Sequence, residues 1–154
     1  MKIRRCESGD MPAIMAIQER LFPPSQWSAS DYSKLCAEPE GLILVAENET
    51  ATPPKVLGFA ALRRVADEAE LLFMAVDPDH QAQGIGKALL QEALARLRKE
   101  GARRLFLEVR VSNKRALRLY RALGFTLHTL RKGYYREPLE DAYVMSLELI
   151  SRLC

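Results

Sequence analysis

The stretch DPDHQAQGIGKALLQEALARL, beginning at Asp77, restricts the fold of this chain more than any other segment. An apolar run of strand length, AELLFMAV, leads into it, and a turn carrying the glycine pair Gly84 and Gly86 follows. Beyond the glycines apolar residues recur at helical spacing. Ile85, Leu89, Ala93 and Leu97 fall on one stripe, Leu90 and Leu94 widen it, and Gly101 closes the helix, which spans residues 84–99. A strand handed straight to a long amphipathic helix requires a sheet, with a parallel strand beyond the helix. RLFLEVRV supplies that strand.

The remaining elements fit around this unit. GDMPAIMAIQERLF places Met11, Ile14, Ile17 and Leu21 at helical spacing, and SASDYSKL opens with a capping-box pair, Ser28 and Asp31. FPPSQW between them is not helical, because its prolines remove donors and extend the preceding residue. LILVAE and VLGFAALRRV flank the loop ENETATPPK as a hairpin, and AELLFMAV follows after the short turn ADEA, giving an antiparallel meander. A second helix runs from Asn113 to Leu123 before Gly124, and the strands FTLHTL and AYVMSLEL end the chain. The order β-α-α-β-β-β-α-β-α-β-β describes an α/β fold of the α+β kind, a mixed sheet with helices on both faces.

With 154 residues, 1–154 is expected to form a single domain. Runs such as LLFMAV are too short to span a bilayer, and MKIRRCESGD lacks the apolar core of a signal peptide, so the expected compartment is the cytoplasm. Cys6, Cys36 and Cys154 are widely spaced without a CxxC, and the chain has two histidines, which points to no disulfide framework and no metal site. Cys6 and Cys36 read as small, partly buried apolar side chains, and Cys154 as a terminal thiol. The net charge is +3, but ARRL, NKRALRLYR and TLRKGYYR make the C-terminal half basic: solvated faces, or a surface for an anionic cofactor or a ribonucleoprotein partner.

Glycines at a strand-to-helix junction let the backbone approach a ligand, and the first free N–H groups of the helix carry partial positive charge. Phosphate is the natural guest, and a ligand-free tight turn is the alternative. Nucleotide motifs fail here. A Walker loop requires glycine at 81 and serine or threonine at 88, where the chain has Gln81 and Ala88; a dinucleotide fingerprint requires glycine at 89, which is Leu89.

NKRALRLYRALGF reads N-x-x-A-x-x-L-Y-x-x-x-G-F from Asn113 to Phe125, and QAQGIG reads Q-x-x-G-x-G. Together, in this order, they resemble the GNAT superfamily of acyl-coenzyme-A-dependent N-acetyltransferases, from about Val56 onward. AVDPDHQAQGIGKALL, LEVRVSNKRALRLYRALGF, RKGYY and EDAYVMSLEL are most similar to its RimI-type ribosomal-protein-alanine N-acetyltransferases. That resemblance implies acetyl-coenzyme A as cosubstrate and a splayed parallel strand pair to hold it. It implies that Met74, Ala75 and Val76 line the acetyl-pantetheine groove. Gln81 and residues 82–87 (Ala82, Gln83, Gly84, Ile85, Gly86 and Lys87) would receive the pyrophosphate, and Asn113 would contact the coenzyme. The same resemblance makes Glu108 the general base and Tyr120 the general acid. Where many relatives carry arginines in the loop this chain has Ala82 and Gln83, leaving Lys87 as the main side-chain cation there.

The chemistry asked of these residues is plain. An amine attacks a thioester only as the free base, and a carboxylate at the end of LFLEV can take its proton directly or through water. The alternative for Glu108 is a half-buried carboxylate paired with Arg110 or another arginine. A phenol beside the sulfur can protonate the departing thiolate; alternatively Tyr120 is a core aromatic with its hydroxyl at the rim. The amide of Val76 could bind the oxyanion if the strand bulges there. His80 and His128 read as structural. Tyr134 and Tyr135, in an arginine-bearing loop, either wall the acceptor site or cover the sheet edge. The resemblance makes the acceptor a protein N-terminal amine, with a ribosomal protein among the candidates; the alternatives are a lysine, polyamine or metabolite amine, or a non-catalytic acetyl-coenzyme-A sensor. No nucleic-acid or membrane contact is expected, and the molecule is a monomer or a homodimer.

Overall fold

A computed structural model describes residues 1–21, 27–136 and 138–149. The FPPSQ part of the expected non-helical link and Cys154 lie outside them. The elements are β1 (Lys2–Arg5), α1 (Met11–Leu21), α2 (Ala29–Ala37), β2 (Gly41–Asn48), β3 (Lys55–Val65), β4 (Glu68–Val76), α3 (Ile85–Lys99), β5 (Arg104–Arg110), α4 (Lys114–Ala122), β6 (Thr126–Arg136) and β7 (Leu139–Glu148). This is the order read from the sequence. Among the described residues no helix is long and apolar enough to cross a membrane.

The strands form one seven-stranded sheet in the order β1-β2-β3-β4-β5-β7-β6. Helices α1 and α2 cover one face, α3 and α4 the other, so central strands are apolar on both sides. In β2, Leu42, Leu44 and Ala46 join the core beneath α3, while Ile43 and Val45 join the core beneath α1 and α2. The six apolar residues assigned to the inner stripe of α3 are all buried. Full burial of a leucine such as Leu89 contributes about 1.5–3 kcal/mol.

Local signals fix the helix ends. The Ser28 hydroxyl accepts from the Asp31 amide at 3.2 Å, and the Asp31 carboxylate accepts from the Ser28 amide at 2.8 Å. At the end of α2 the chain turns into β2 through Gly41, where a Cβ would lie 1.9 Å from the Leu35 carbonyl oxygen. The buried Gln18 of α1 is satisfied by the Tyr32 hydroxyl and by the Trp27 carbonyl, which accepts its amide at 2.5 Å. Cys6 is buried and Cys36 half-buried, and their sulfurs face each other at 3.0 Å as free thiols between the end of β1 and α2.

The parallel pair β4–β5 positions the site. The two strands pair only between Glu68–Leu71 and Arg104–Leu107. Thereafter β4 stays with β3 as far as Val76, β5 stays with β7 as far as Arg110, and a gap opens between them. The bend in β4 is not at Val76, where the sequence reading put the bulge; Val76 is in register with Gly58. Leu71 pairs with Leu62 and Phe73 with Ala61, so Leu72 is the extra residue. A strand leaves its neighbour where their pairing stops, and an inserted residue there supplies the turn. A second correction concerns Tyr134 and Tyr135. They lie in the second half of β6, not in a loop, because β6 continues past an irregularity between Arg131 and Tyr135.

Candidate active site

The gap between β4 and β5 opens into a cleft of about 1150 Å³. Six of the residues singled out from the sequence line it: Met74, Glu108, Asn113, Tyr120, Tyr134 and Tyr135. The Asp77 amide donates to the Leu57 carbonyl at 2.7 Å. In an antiparallel ladder bonded and non-bonded pairs alternate, so the amides of Val76 and Met74 face away from β3, toward the gap. Ala75 is in the other phase: its main chain is turned to β3 and its side chain is buried in the core beneath α1 and α2.

At the far end of the gap the chain turns from β4 into α3 through residues 77–84. Ala82 and Gly84 have φ of 62° and 81°, left-handed values that glycine adopts without strain. Gly84 is the N-cap and offers no capping side chain. The first helical bond is donated by Ala88 to Gly84, at 3.0 Å, so the amides of Ile85, Gly86 and Lys87 have no partner among the described residues. A Cβ on Gly84 would meet nothing within 4 Å, and one on Gly86 would sit 3.8 Å from both Met74 and Val76 side chains. The loop is therefore an anion cradle of main-chain donors abutting the end of β4. Gln81 spans the junction: its Nε2 donates to the Val76 carbonyl at 3.3 Å, and its Oε1 accepts from Arg115 Nη1 at 2.6 Å. Asn113 caps α4, its side-chain oxygen accepting from the Ala116 amide at 3.2 Å.

On the α1–α2 side of the gap the groups are ionisable. Parallel pairing puts Glu70 beside Phe106 on one sheet face, and Glu108, two residues on, shares it. Glu108 accepts from Arg131 Nη1 at 2.9 Å and is also hydrogen-bonded to the Tyr134 hydroxyl. The bonded, half-buried state of Glu108 is thus real, with Arg131 rather than Arg110 as its partner. Arg110 instead stacks over the Tyr135 ring at 4.1 Å and pairs with Glu140, while Arg131 also covers Tyr134 at 4.3 Å.

The protonation states follow from this packing. The hydrogen bond to Glu108, then burial, push Tyr134 up to about 12 against the opposing charge of Arg131. Burial drives Tyr120 well above the usual phenol range, so its proton stays on oxygen at any physiological pH. Glu70 is raised by burial first and by the charge of Glu108 second. Glu70 and Arg131 carry the local electrostatics, and the sequence reading singled out neither. The parity of Glu70 with Glu108 across the parallel pair was the available signal, and it required the strand register. Trp27 and Phe73, with rings 5.2 Å apart, close the same side.

The family model for the acetyltransferase (GNAT) family matches residues 11–125. The chain is 38% identical over 151 residues, 96% of its length and 97% of the relative's, to a [ribosomal protein bS18]-alanine N-acetyltransferase of Escherichia coli K12. It is also 38% identical to the Salmonella typhimurium protein of that name, over 91% of this chain and 92% of the relative. Among solved structures, the ribosomal-protein-S18-alanine N-acetyltransferase from Escherichia coli superposes with a TM-score of 0.84 at 37% identity, covering 97% of this chain and 94% of that one.

Proposed function

The chain belongs to the GNAT acetyltransferase family and is an N-acetyltransferase that uses acetyl-coenzyme A, and from that premise we propose that its acceptor is the α-amine of a protein N-terminus beginning with alanine. One observation carries the reading: similarity to enzymes of that specificity extends over almost the whole chain, acceptor-side elements included, and not over the cofactor half alone. The chemistry agrees. An α-amine has a reference pKa near 8 and a lysine near 10.4, so the former reaches its free-base form at neutral pH with far less help.

The donor supplies a thioester-activated acetyl group. In this reading the amides of residues 82–87 and the left-handed turn bind its diphosphate, and the gap-facing amides of Met74 and Val76 hold its arm and the carbonyl oxygen. The acceptor enters as the free amine; its nitrogen attacks the thioester carbon and Glu108 takes the one proton that the nitrogen then gives up, which requires the incoming amine to displace Arg131 from the carboxylate. Tyr120 holds its proton and delivers it to the sulfur as the carbon–sulfur bond breaks. The residues differ in what they do: the loop binds, Glu108 and Tyr120 move protons, and Trp27 with Phe73 keeps water from the acceptor side.

The test is a pair of peptides of the same sequence, one with a free N-terminal alanine and one N-terminally blocked, both with internal lysines. Incubation with labelled acetyl-coenzyme A and mass spectrometry should put the label on the α-amine of the first and leave the second unlabelled. Label on lysine in both would overturn the acceptor assignment.

A further inference from the structure

The diphosphate loop is poor in charge of its own: residues 81–87 contain one cation, Lys87. Arg115, in the first turn of α4, is nonetheless in direct contact with it. Its Nη1 donates to Gln81 Oε1 at 2.6 Å, and Gln81 in turn is held to the end of β4 through the Val76 carbonyl. Three guanidiniums near the cleft sit on carboxylates: Arg131 on Glu108, Arg110 on Glu140, and Arg20 on Asp77 and Asp79. Arg115 differs. It is exposed, its contact is a neutral amide, and among the described residues it forms no ion pair. Its full charge is therefore held on Gln81, in the turn that leads into α3, on an exposed side chain. The start of α3 packs against α4, as a Cβ on Gly86 would lie 3.7 Å from the Leu119 side chain.

We infer that Arg115 is a phosphate-binding residue for coenzyme A, supplying from α4 the guanidinium that the loop lacks, with Gln81 as the residue that positions it. The inference rests on the assignment of the loop as the coenzyme's diphosphate site. Main-chain amides alone recognise an anion by geometry; a guanidinium adds a bidentate, charge-assisted contact and steepens the dependence on salt. The bond to Gln81 also ties α4 to the loop, and the melting temperature of the variants reads that structural role separately.

Calorimetric titration with coenzyme A and with dephospho-coenzyme A tests it, using wild type, Arg115→Gln, Arg115→Lys and Arg121→Gln. Arg121, in the last turn of the same helix, controls for the general positive field. Arg115→Gln should weaken coenzyme A roughly 10-fold with unchanged melting temperature, Arg115→Lys should recover part of the loss, and Arg121→Gln should bind as wild type. An equal loss for both ligands places the contact on the diphosphate; a loss confined to coenzyme A places it on the 3′-phosphate, and either supports the inference. If wild type and Arg115→Gln bind both ligands equally, or if Arg121→Gln loses as much as Arg115→Gln, the inference is overturned while the loop assignment stands. A wild type that binds neither ligand removes both.

Discussion

The two sides of the gap between β4 and β5 are built on different principles. The side proposed for the coenzyme is almost one continuous segment, residues 74–87, whose donors are main-chain amides presented by left-handed φ values and an uncapped helix start. The acceptor side gathers Trp27, Glu70 and Phe73, Glu108, and Arg131 with Tyr134 from separate elements, and its working groups are side chains. Recognition by main chain demands consecutive residues with unusual backbone geometry. Recognition by side chains demands only that distant residues converge. The first is rigid and shared by anything carrying a diphosphate; the second is free to change with the acceptor.

The largest effect that separates the sides is expected from Glu108→Gln. Turnover should fall about 10²–10⁴-fold while coenzyme affinity, read by calorimetry, stays at the wild-type value; a parallel loss of affinity would merge the two sides into one. Next comes Asp10→Asn, at the start of α1 and away from both sides. Arg4 donates two hydrogen bonds to Asp10, at 2.8 and 2.9 Å, tying β1 to the start of α1, and the loss should be about 1.5–3 kcal/mol by denaturant unfolding. The bond from Arg4, followed by the amide of Glu7 and opposed by burial, holds the Asp10 carboxyl below the usual aspartate range. A depressed folded-state pKa stabilises above the unfolded value near 3.9, and that stabilisation disappears as pH falls through the lower folded value. The gap between wild type and Asp10→Asn should thus be widest at neutral pH and close in acid.

Gly84→Val should act on the coenzyme side alone. A side chain at a φ of 81° costs about 1–2 kcal/mol, and the Michaelis constant for acetyl-coenzyme A should rise roughly 10-fold with that for the acceptor unchanged. The smallest effect is expected from Tyr134→Phe, which removes one hydrogen bond to Glu108 worth about 0.5–1.5 kcal/mol. A change of a few-fold in acceptor kinetics, with coenzyme binding unaffected, sharpens the division; a change in coenzyme affinity blurs it.

This contrast also explains what the sequence reveals. The α3 stripe, the capping box of α2, the meander and the parallel pair all follow from periodicity and turn residues over short windows, and the structure has each of them. The loop is legible because its glycines are neighbours. Glu70, Arg131 and Arg115 are not, since their meaning depends on which strand lies beside β5, how far β6 extends, and where α4 starts relative to α3. The position of the bulge is equally non-local: Leu72 bends because pairing with β5 ends at Leu71, a fact absent from the residues around Leu72.

The brevity of the β4–β5 ladder has a thermodynamic consequence. Among the described residues, strand pairing between the N-terminal leaf of the sheet, β1 to β4, and the C-terminal leaf, β5 to β7, runs over residues 68–71 and 104–107, extended by the Arg103 amide on the Asp67 carbonyl, with α3 as the spine behind them. At the site proposed here a cosubstrate would bond to both leaves at the open end of the book, and occupancy would add about 2.7 kcal/mol at a hundredfold excess over its dissociation constant. In that reading, binding and folding stability rise and fall together across this seam.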